Sequence, residues 1–191
     1  MDDPPAGLPA PVKRPPLPIL TGGAARGRRL TAEVPPGVRP TSARVREALF
    51  SIVGHDLTGV RVLDAFGGSG LVALEAWSRG ATVTIVERDS KTLETIRANA
   101  AALGAAIEIR AGDTREIARI LTPFDGVFAD PPYDMAAEET VEILSPVARE
   151  WLVLESAATV EAPAPRAGLS LDRRRRYGGT MLTVYRRPAA E

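Results

Sequence analysis

From residue 60 onward, short apolar runs alternate with longer segments in which apolar residues recur at helical spacing. The apolar runs predict strands at residues 60–66, 81–86, 107–111, 124–129 and 151–155. The segments between them predict helices at residues 71–78, 90–103, 114–121 and 136–147. Repeated strand–helix units are typical of an α/β fold, in which right-handed crossovers place helices on both faces of a parallel sheet.

The N-terminal residues follow a different pattern. Seven of the first eighteen residues are proline, which predicts a disordered or polyproline-like tail. Residues 19–32 have short apolar ends around a centre rich in Gly and Arg, which favours a hairpin or a flexible loop, with a solvated linker as the alternative. Thr41 or Ser42 can then cap a helix. The apolar face of that helix would comprise Val45, Leu49, Ile52 and Val53.

The C-terminal residues complete the expected sheet. Residues 169–171 and 180–186 can form a closing antiparallel hairpin after an irregular stretch that contains Pro163 and Pro165. We therefore expect a tail at residues 1–18, a basic N-terminal extension at 19–54, one α/β domain at 55–187 and a short tail at 188–191.

Composition excludes several kinds of chemistry. The chain has no cysteine, so disulfides, thiolate nucleophiles and cysteine-based zinc sites are absent. Its single histidine, His55, has no second histidine with which to build a triad or a His-rich metal site, so we expect no metal. No apolar stretch approaches the roughly 20 residues of a membrane span, and the start lacks the apolar region of a signal peptide. These features predict a cytoplasmic protein.

Charge is distributed unevenly although the net charge is zero. Residues 1–50 carry eight Lys or Arg against four acids, residues 51–165 nine against eighteen, and residues 166–191 seven against two. Two basic ends therefore flank an acidic middle. A polyanion responds to such local patches rather than to the isoelectric point.

A glycine-rich turn follows the first predicted strand of the α/β unit. The strand ends at Asp64, and Gly68, Gly70 and Ala73 then match a G-x-G-x-x-A spacing that lets a backbone approach a ligand closely. This pattern alone also fits a nicotinamide or flavin enzyme. Asp64, however, would place a carboxylate where a pyrophosphate needs donors, so an amino-bearing or cationic ligand suits the turn better.

Acidic residues end four successive predicted strands, namely Asp64, Glu87, Asp113 and Asp130. Glu87 lies where an acid binds the hydroxyl groups of a ribose, and Asp113 lies where it could meet an adenine amino group. Each acid alone is more often a helix cap or an ordinary strand end. Their joint placement at one sheet edge indicates a ligand site.

The fourth acid belongs to the tetrapeptide Asp130-Pro131-Pro132-Tyr133. Two prolines cannot donate to a sheet ladder, so the chain leaves the strand in a stiff, extended turn that holds Asp130 and Tyr133 with little freedom. A carboxylate beside an aromatic ring suits a planar substrate that carries an NH2 group. The alternative is a strand-to-helix turn in which Asp130 caps the next helix.

These motifs together resemble the class I S-adenosylmethionine-dependent methyltransferases, and most closely the RsmD family of 16S rRNA guanine-N2 methyltransferases. The resemblance covers roughly residues 19–187. Its motifs include Gly22-Gly23, Arg26-Gly27-Arg28, Arg39-Pro40-Thr41, Arg44-Val45-Arg46-Glu47, Phe66-Gly67-Gly68-Ser69-Gly70, Asp130-Pro131-Pro132-Tyr133, Glu155-Ser156 and Tyr177-Gly178. Gly67 replaces the usual alanine, and Ala25 stands where an aromatic residue that could stack on RNA often lies.

The resemblance implies a Rossmann-like fold with a mostly parallel, doubly wound, seven-stranded sheet, a C-terminal antiparallel hairpin and a short N-terminal extension. It implies S-adenosylmethionine as cofactor, bound by Asp64, Phe66, Gly68, Ser69, Gly70, Glu87, Arg88, Asp113 and Thr114. The implied catalytic residues are Asp130, Pro131, Pro132 and Tyr133. The RNA-binding residues expected in the basic ends are Arg26, Arg28, Arg29, Arg39, Arg44, Arg175 and Arg176.

The substrate implied by the resemblance is guanine N2 of 16S rRNA in an assembled or assembling small subunit, and we expect a monomer. Three alternatives stay open at this point. The same four-residue motif serves N6-adenine methylation of DNA or another RNA, the glycine turn fits a nicotinamide-dependent oxidoreductase, and the basic ends fit a nonenzymatic RNA-binding assembly factor.

Overall fold

The computed structural model describes residues 17–32 and 41–188. Its strands are β1 (Arg61–Asp64), β2 (Thr82–Glu87), β3 (Glu108–Ala111), β4 (Phe124–Ala129), β5 (Ala148–Ala157), β6 (Ser170–Tyr177) and β7 (Thr180–Arg186). Its α-helices are α1 (Ala43–Val53), α2 (Leu71–Ser78), α3 (Ser90–Leu103), α4 (Thr114–Ile117) and α5 (Ala137–Leu144). The seven strands form one sheet in the order β3-β2-β1-β4-β5-β7-β6.

The pairing of the strands confirms the predicted fold class. Strands β1 to β5 pair in parallel, whereas β7 is antiparallel to both β5 and β6. The chain reverses its direction of travel across the sheet between β1 and β4, which are neighbours. In open α/β sheets, a crevice for ligands lies at such a reversal, beyond the carboxyl ends of the strands.

Helices cover both faces of the sheet, and we name each face after one helix. On the α1 face, residues of α1, α2 and α3 pack on the sheet with Val62, Ile85, Phe128, Val153 and Leu182 among the buried strand residues. On the α5 face, Val141 and Leu144 of α5 pack on Leu63, Val127 and Leu152. Because side chains alternate along a strand, these two clusters assign the central positions of β1, β2, β4, β5 and β7 to a face.

Helix α1 joins the N-terminal extension to the sheet. As predicted, Ser42 caps it, since its Oγ accepts a hydrogen bond from the Val45 amide at 3.3 Å. Val45, Leu49 and Phe50 are buried in the α1-face cluster. The start of α1 is thereby fixed over the sheet.

Residues 19–32 fold back on themselves in the way the hairpin alternative expected. Ile19 and Arg29 form an isolated antiparallel bridge, and Leu20 and Leu30 are buried against α2 and α3. Gly23 adopts a φ of 77°, and a Cβ there would collide with the carbonyl of Ser78 at the end of α2. The segment is thus packed tightly on the helices rather than solvated as a linker.

Several predicted elements were wrong in extent. Strand β5 spans Ala148–Ala157 instead of residues 151–155. Strand β6 spans Ser170–Tyr177 instead of residues 169–171, because an edge strand accommodates the consecutive arginines that conceal the strand pattern. The predicted helix at 136–147 ends at Leu144 and continues as a 3-10 turn through Pro146, which has no amide hydrogen for a helical bond. The predicted helix at 114–121 likewise becomes a short α4 and a 3-10 turn.

Some predictions concern residues that the structure does not describe. The proline-rich tail, apart from residues 17 and 18, lies outside the described part of the chain, as does Arg39 and all of the C-terminal tail except Pro188. Among the described helices, none is long and apolar enough to cross a bilayer.

Candidate active site

The carboxyl ends of the parallel strands bring the predicted acids to one edge of the sheet. Asp64 and Glu87 are the last residues of β1 and β2, and Asp130 directly follows β4. Asp113 follows β3 after one glycine. The register places β1 between β2 and β4, so this edge coincides with the reversal point of the sheet.

The glycine turn links β1 to α2 within this edge. The Gly67 amide donates to the Val86 carbonyl at 2.7 Å, and the Gly68 amide donates to Glu87 Oε2 at 2.8 Å. Gly70 begins α2 in the left-handed region, with φ of 73°. The Leu71 amide donates to Ser69 Oγ at 3.3 Å. The turn is therefore fixed by its own backbone and by the end of β2.

Asp64 is the most deeply buried acid of the edge, with 2% of its surface exposed. Burial raises its pKa well above the usual range, the backbone amides of Phe66 and Ala73 oppose that rise, and the charges of Asp130 and Glu87 add to it. Its Oδ1 has no hydrogen-bond partner within the described residues. A buried acceptor without a donor is costly, and an amino group of a ligand would satisfy it.

The carboxylates of Glu87 and Asp113 already accept hydrogen bonds from within the protein. Glu87 Oε1 accepts the amides of Arg88 and Asp89, each at 2.8 Å. Asp113 caps α4 through the Arg115 amide at 2.8 Å, and its Oδ2 lies 3.6 Å from Arg88 Nη1. The capping role that is common for such an acid is therefore present at Asp113, while its ligand role stays a prediction.

Two further residues predicted to bind the cofactor, Thr114 and Phe66, contact other parts of the protein at this edge of the sheet. Thr114 is buried, and its hydroxyl donates to the Ala65 carbonyl, which ties α4 to the end of β1. Phe66 is half-buried and packs against the α5-face cluster. Both residues adjoin the acids in the chain, Thr114 next to Asp113 and Phe66 two residues after Asp64.

The tetrapeptide after β4 does not cap the next helix. Helix α5 has Ala136 as its N-cap residue with no side-chain cap, so the capping interpretation of Asp130 is wrong. Burial raises the pKa of Asp130 to about 6. Pro132 closes a turn by accepting the Met135 amide at 3.0 Å, and Tyr133 is 95% exposed. The motif thus presents a half-buried carboxylate and a free aromatic ring that contributes little to the core.

Glu155 joins this group, although sequence reasoning treated it only as part of a family motif. It directly follows the apolar run at residues 151–154 of β5. Burial raises its pKa to about 8, the Asp130 charge raises it further, and a hydrogen bond from Thr41 opposes the rise. Its Oε2 is buried without a partner. The sequence signal was an acid directly after the apolar run at residues 151–154, which pattern alone does not distinguish from an ordinary strand end.

The predicted RNA-binding arginines form two separate groups. Arg26, Arg28 and Arg29 lie on the segment packed against α2 and α3. Arg28 Nη1 donates to the Leu103 carbonyl at 2.9 Å, so its guanidinium caps the end of α3, and Arg29 donates to the Leu17 carbonyl. These two guanidinium groups therefore have partners within the protein.

The second group, Arg44, Arg175 and Arg176, lies on helix α1 and strand β6. The Arg44 guanidinium lies 6.0 Å from the centroid of the Tyr177 ring. Arg175 pairs with Leu182 across β6 and β7, which places it on the α1 face, while Arg176 Nε donates to the Gly178 carbonyl at 2.8 Å. Arg44 and Arg175 thus border the same face as Glu155.

Comparison with known proteins shows which family and which sequences this chain is similar to. A family model described as "Conserved hypothetical protein 95" matches residues 19–186. The Escherichia coli K12 protein named "Ribosomal RNA small subunit methyltransferase D" is 35% identical over 180 residues, which are 89% of this chain and 90% of that protein. The "tRNA (guanine(6)-N2)-methyltransferase" of Thermus thermophilus is 32% identical over 145 residues, 68% of this chain and 43% of that protein.

A solved structure gives the same result for the fold. The structure titled "Putative methyltransferase yhhF from Escherichia coli" superposes with a TM-score of 0.79 at 33% identity, covering 90% of this chain and 98% of that one. The similarity spans the extension, the sheet and the closing hairpin together.

Proposed function

The chain belongs to the family described as conserved hypothetical protein 95, the RsmD family that its motifs resemble, and from this membership we propose its reaction. The protein transfers the methyl group of S-adenosylmethionine to the exocyclic N2 of a guanine in 16S rRNA, within an assembled or assembling small ribosomal subunit. The observation that carries the proposal is Asp130, a half-buried carboxylate that caps no helix and is held by two prolines beside an exposed tyrosine.

The acidic edge fits S-adenosylmethionine in charge and in hydrogen bonding. The unpartnered Oδ1 of Asp64 is an acceptor for an ammonium or amino group, and the glycine turn lets a ligand approach the backbone. Glu87 would bind the ribose hydroxyl groups and Asp113 the adenine amine. When bound, this cofactor supplies a methyl group on a sulfonium sulfur. After the methyl group is transferred, the rest of the cofactor is a neutral thioether. Asp64 and the glycine turn would then fix the position of that methyl group at the sheet edge.

Asp130 supplies what the acceptor amine lacks. The lone pair of guanine N2 is delocalised into the ring, so the amine is a poor nucleophile. Asp130 and the Pro131 carbonyl would accept its hydrogens and favour a pyramidal nitrogen whose lone pair points at the methyl group. With a pKa of about 6, Asp130 is ionised at neutral pH and can also receive the proton that the product loses.

Tyr133 would hold the base in place. A base stacked on an aromatic side chain gains about 1–3 kcal/mol, whereas unstacking from RNA costs a few kcal/mol. Because these terms nearly cancel, a base that is already unpaired is the favoured target. Positioning of both reactants can then supply about 7–11 kcal/mol of the barrier reduction.

The test is product analysis with labelled cofactor. The purified protein is given S-adenosylmethionine with a labelled methyl group, together with rRNA, free or in small subunits, from a strain that lacks this gene. We expect label in 16S rRNA and N2-methylguanosine after digestion to nucleosides.

Each other outcome contradicts a stated part of the proposal. Label in N6-methyladenosine would overturn the choice of base. Binding of the subunit with no transfer to any RNA would support a nonenzymatic assembly factor, and binding of NADH without S-adenosylmethionine would support an oxidoreductase.

A further inference from the structure

Glu155 lies beside Asp130 in the sheet, one strand away. Ala129 of β4 pairs with Leu154 of β5, so the next residue on each strand continues the same row at a strand spacing of about 5 Å. Phe128 and Val153, two residues earlier on each strand, both belong to the α1-face cluster. Alternation therefore directs Asp130 and Glu155 to the same face, the one that also receives Asp64.

The surroundings of Glu155 fix one oxygen and leave the other free. A side-chain hydrogen bond from Thr41, which lies just before α1, lowers the pKa of the Glu155 carboxyl group against the effect of burial. The Thr41 carbonyl accepts Arg46 Nη1 at 2.6 Å, so Thr41 is itself held from a buried arginine. Glu155 Oε2 is buried and has no partner within the described residues. The geometry is that of an oriented group that needs a ligand.

We propose that Glu155 is a specificity-determining residue that hydrogen-bonds the N1–H edge of the guanine whose neighbouring amine faces Asp130. This inference rests on the proposed function and extends it to the choice of base. It assigns a role to the residue that separates guanine from adenine, a distinction that the four-residue motif does not make.

The protonation state of Glu155 suits this role. With its pKa near 8 beside an Asp130 pKa near 6, the pair carries one proton at neutral pH, because two buried carboxylates at this distance cannot both ionise readily. A neutral carboxylic acid presents one acceptor and one donor. Guanine offers N1–H and O6 next to each other, which match that acceptor and that donor.

Adenine matches the same pair of carboxyl groups less well. Beside its reactive N6 amine it offers the acceptor N1 and then a carbon-bound hydrogen, so only one bond can form with a neutral Glu155. An ionised Glu155 would face the N1 lone pair directly. Either state favours guanine over adenine because a buried polar group is left unpaired with the wrong base.

The charged groups around Glu155 do not change this assignment. Asp130 faces it from β4 and Asp64 lies beyond Asp130 on β1, both acidic. From β7 it is paired with the apolar Leu182, and on β6 the same row ends in Arg175. Thr41 faces it from just before helix α1, and α1 itself contributes Arg44 at its exposed surface. Both arginines are exposed, so solvent screens them from the carboxyl pair.

The experiment compares Glu155→Ala with Glu155→Gln in single turnovers on small subunits. Loss of the base contact should lower kcat/KM of the Ala variant about 10- to 100-fold, with S-adenosylmethionine affinity changed less than twofold. The Gln variant has the donor and acceptor of the neutral acid. Where the Ala variant loses more than tenfold in kcat/KM, the kcat/KM of the Gln variant should therefore be at least tenfold higher than that of the Ala variant. Glu150→Ala, at the exposed opposite end of β5, is the matched control.

The pH profile separates this role from simple packing. For the native protein, kcat/KM should fall as pH rises through about 8, since ionised Glu155 loses its donor to O6. The Gln variant cannot ionise and should lose that limb, while it keeps the acid limb near pH 6 and any limb from the guanine itself. An alkaline limb near 8 that persists in the Gln variant would overturn the proposal.

A substrate change completes the test. Once the target nucleotide is mapped, replacing it with 2-aminopurine keeps the reactive amine and removes N1–H and O6. The native protein should lose at least tenfold in kcat/KM on this substrate, and the Ala variant less than threefold. Equal losses for both proteins would refute the role of Glu155, whereas no methylation of any guanine by the native protein would instead refute the proposed function.

Discussion

Buried acidic side chains occur in two settings that differ in how their charge is compensated. The paired group is Glu75 with its donors, and the unpaired group is Asp64, Asp130 and Glu155. Glu75 of α2 is fully buried, and hydrogen bonds reach both of its oxygens. The donors are Thr21, Arg46 and Arg79. Burial raises the pKa of Glu75, but these bonds outweigh it and lower the pKa overall. At Asp64 burial prevails, and one oxygen has no donor in the described residues.

The difference distinguishes structural charge from functional charge. A buried ion that is fully paired stabilises one arrangement of the chain, whereas a buried acid without donors is stable only as a neutral group or with a ligand. The two groups are also connected, because Arg46 binds Glu75 at 2.7 Å and the Thr41 carbonyl at 2.6 Å. Through Thr41, the paired group orients Glu155 in the unpaired one.

The largest expected effect comes from the unpaired group. Asp130→Ala removes the acceptor for the reactive amine, so kcat should fall by about 10²–10⁴-fold, measured by methyl transfer to small subunits. Cofactor affinity, measured by calorimetry, should be nearly unchanged. Asp130→Asn keeps one oxygen acceptor and should recover part of the loss.

The control for this prediction is Asp134→Ala, since Asp134 is exposed and lies four residues further along the same loop. It should retain normal turnover. If Asp130→Ala turned over like this control, the carboxylate would have no role in catalysis and the protein would act by binding alone.

The paired group should affect stability instead. Glu75→Gln leaves the buried Arg46 and Arg79 without a countercharge, so the free energy of unfolding should fall by about 3–5 kcal/mol in urea titration. Glu94→Gln on the exposed side of α3 should change it by less than about 0.5 kcal/mol. A loss below 1 kcal/mol at Glu75 would mean that the pairing is not what stabilises this region.

Much of the fold could be predicted because the apolar periodicity and the residues that end helices and strands agree. Helices α2 and α3 and strands β4 and β7 have the predicted bounds, since each combines an apolar pattern with a glycine, an aspartate cap or a proline at its end. Strand β6 was underestimated because its pairing with β7 is nonlocal and its arginines give no apolar alternation. Tertiary pairing outweighed local pattern there.

The candidate site could be predicted where a sequence motif lies at the end of a predicted parallel strand. Strand order brought Asp64, Glu87 and Asp130 to one edge, as a parallel sheet requires. Glu155 also ends a predicted strand, but its role could not be predicted, because that role depends on the register between β4 and β5 and on Thr41 just before α1. The two uses of arginine, at Arg46 in the core and at Arg175 on the surface, were also indistinguishable in the sequence.

The unpaired group should make the protein less stable as pH rises. Asp64 has a folded-state pKa above its unfolded value of 3.8, so both states are neutral well below that pH and no penalty exists there. Above it the unfolded state ionises first, and native stability falls until the folded pKa is passed. Asp64→Asn removes this penalty, so it should raise the free energy of unfolding at pH 8.

Urea titrations of both proteins at pH 3 and pH 8 check this prediction. The amide should replace the unpartnered oxygen while the other oxygen still accepts the amides of Phe66 and Ala73. The gain should disappear at pH 3. If Asp64→Asn raised the free energy of unfolding equally at pH 3 and pH 8, packing and not charge would explain the difference in stability between the two proteins.

The smallest expected effect applies the same comparison to the arginines. The Arg28 guanidinium has partners in the carbonyls at the end of α3, whereas the Arg175 guanidinium has no hydrogen bond or ion pair among residues 17–32 and 41–188. Each phosphate contact that is lost lowers the salt slope of binding to single-stranded RNA by about 0.7. Arg175→Ala should therefore reduce that slope, measured by filter binding at several salt concentrations, with unfolding unchanged. Arg28→Ala should instead lower thermal stability and leave the slope closer to native. If Arg28→Ala reduced the slope by the full amount and Arg175→Ala did not, a partner within the protein would not distinguish structural arginines from those that bind RNA.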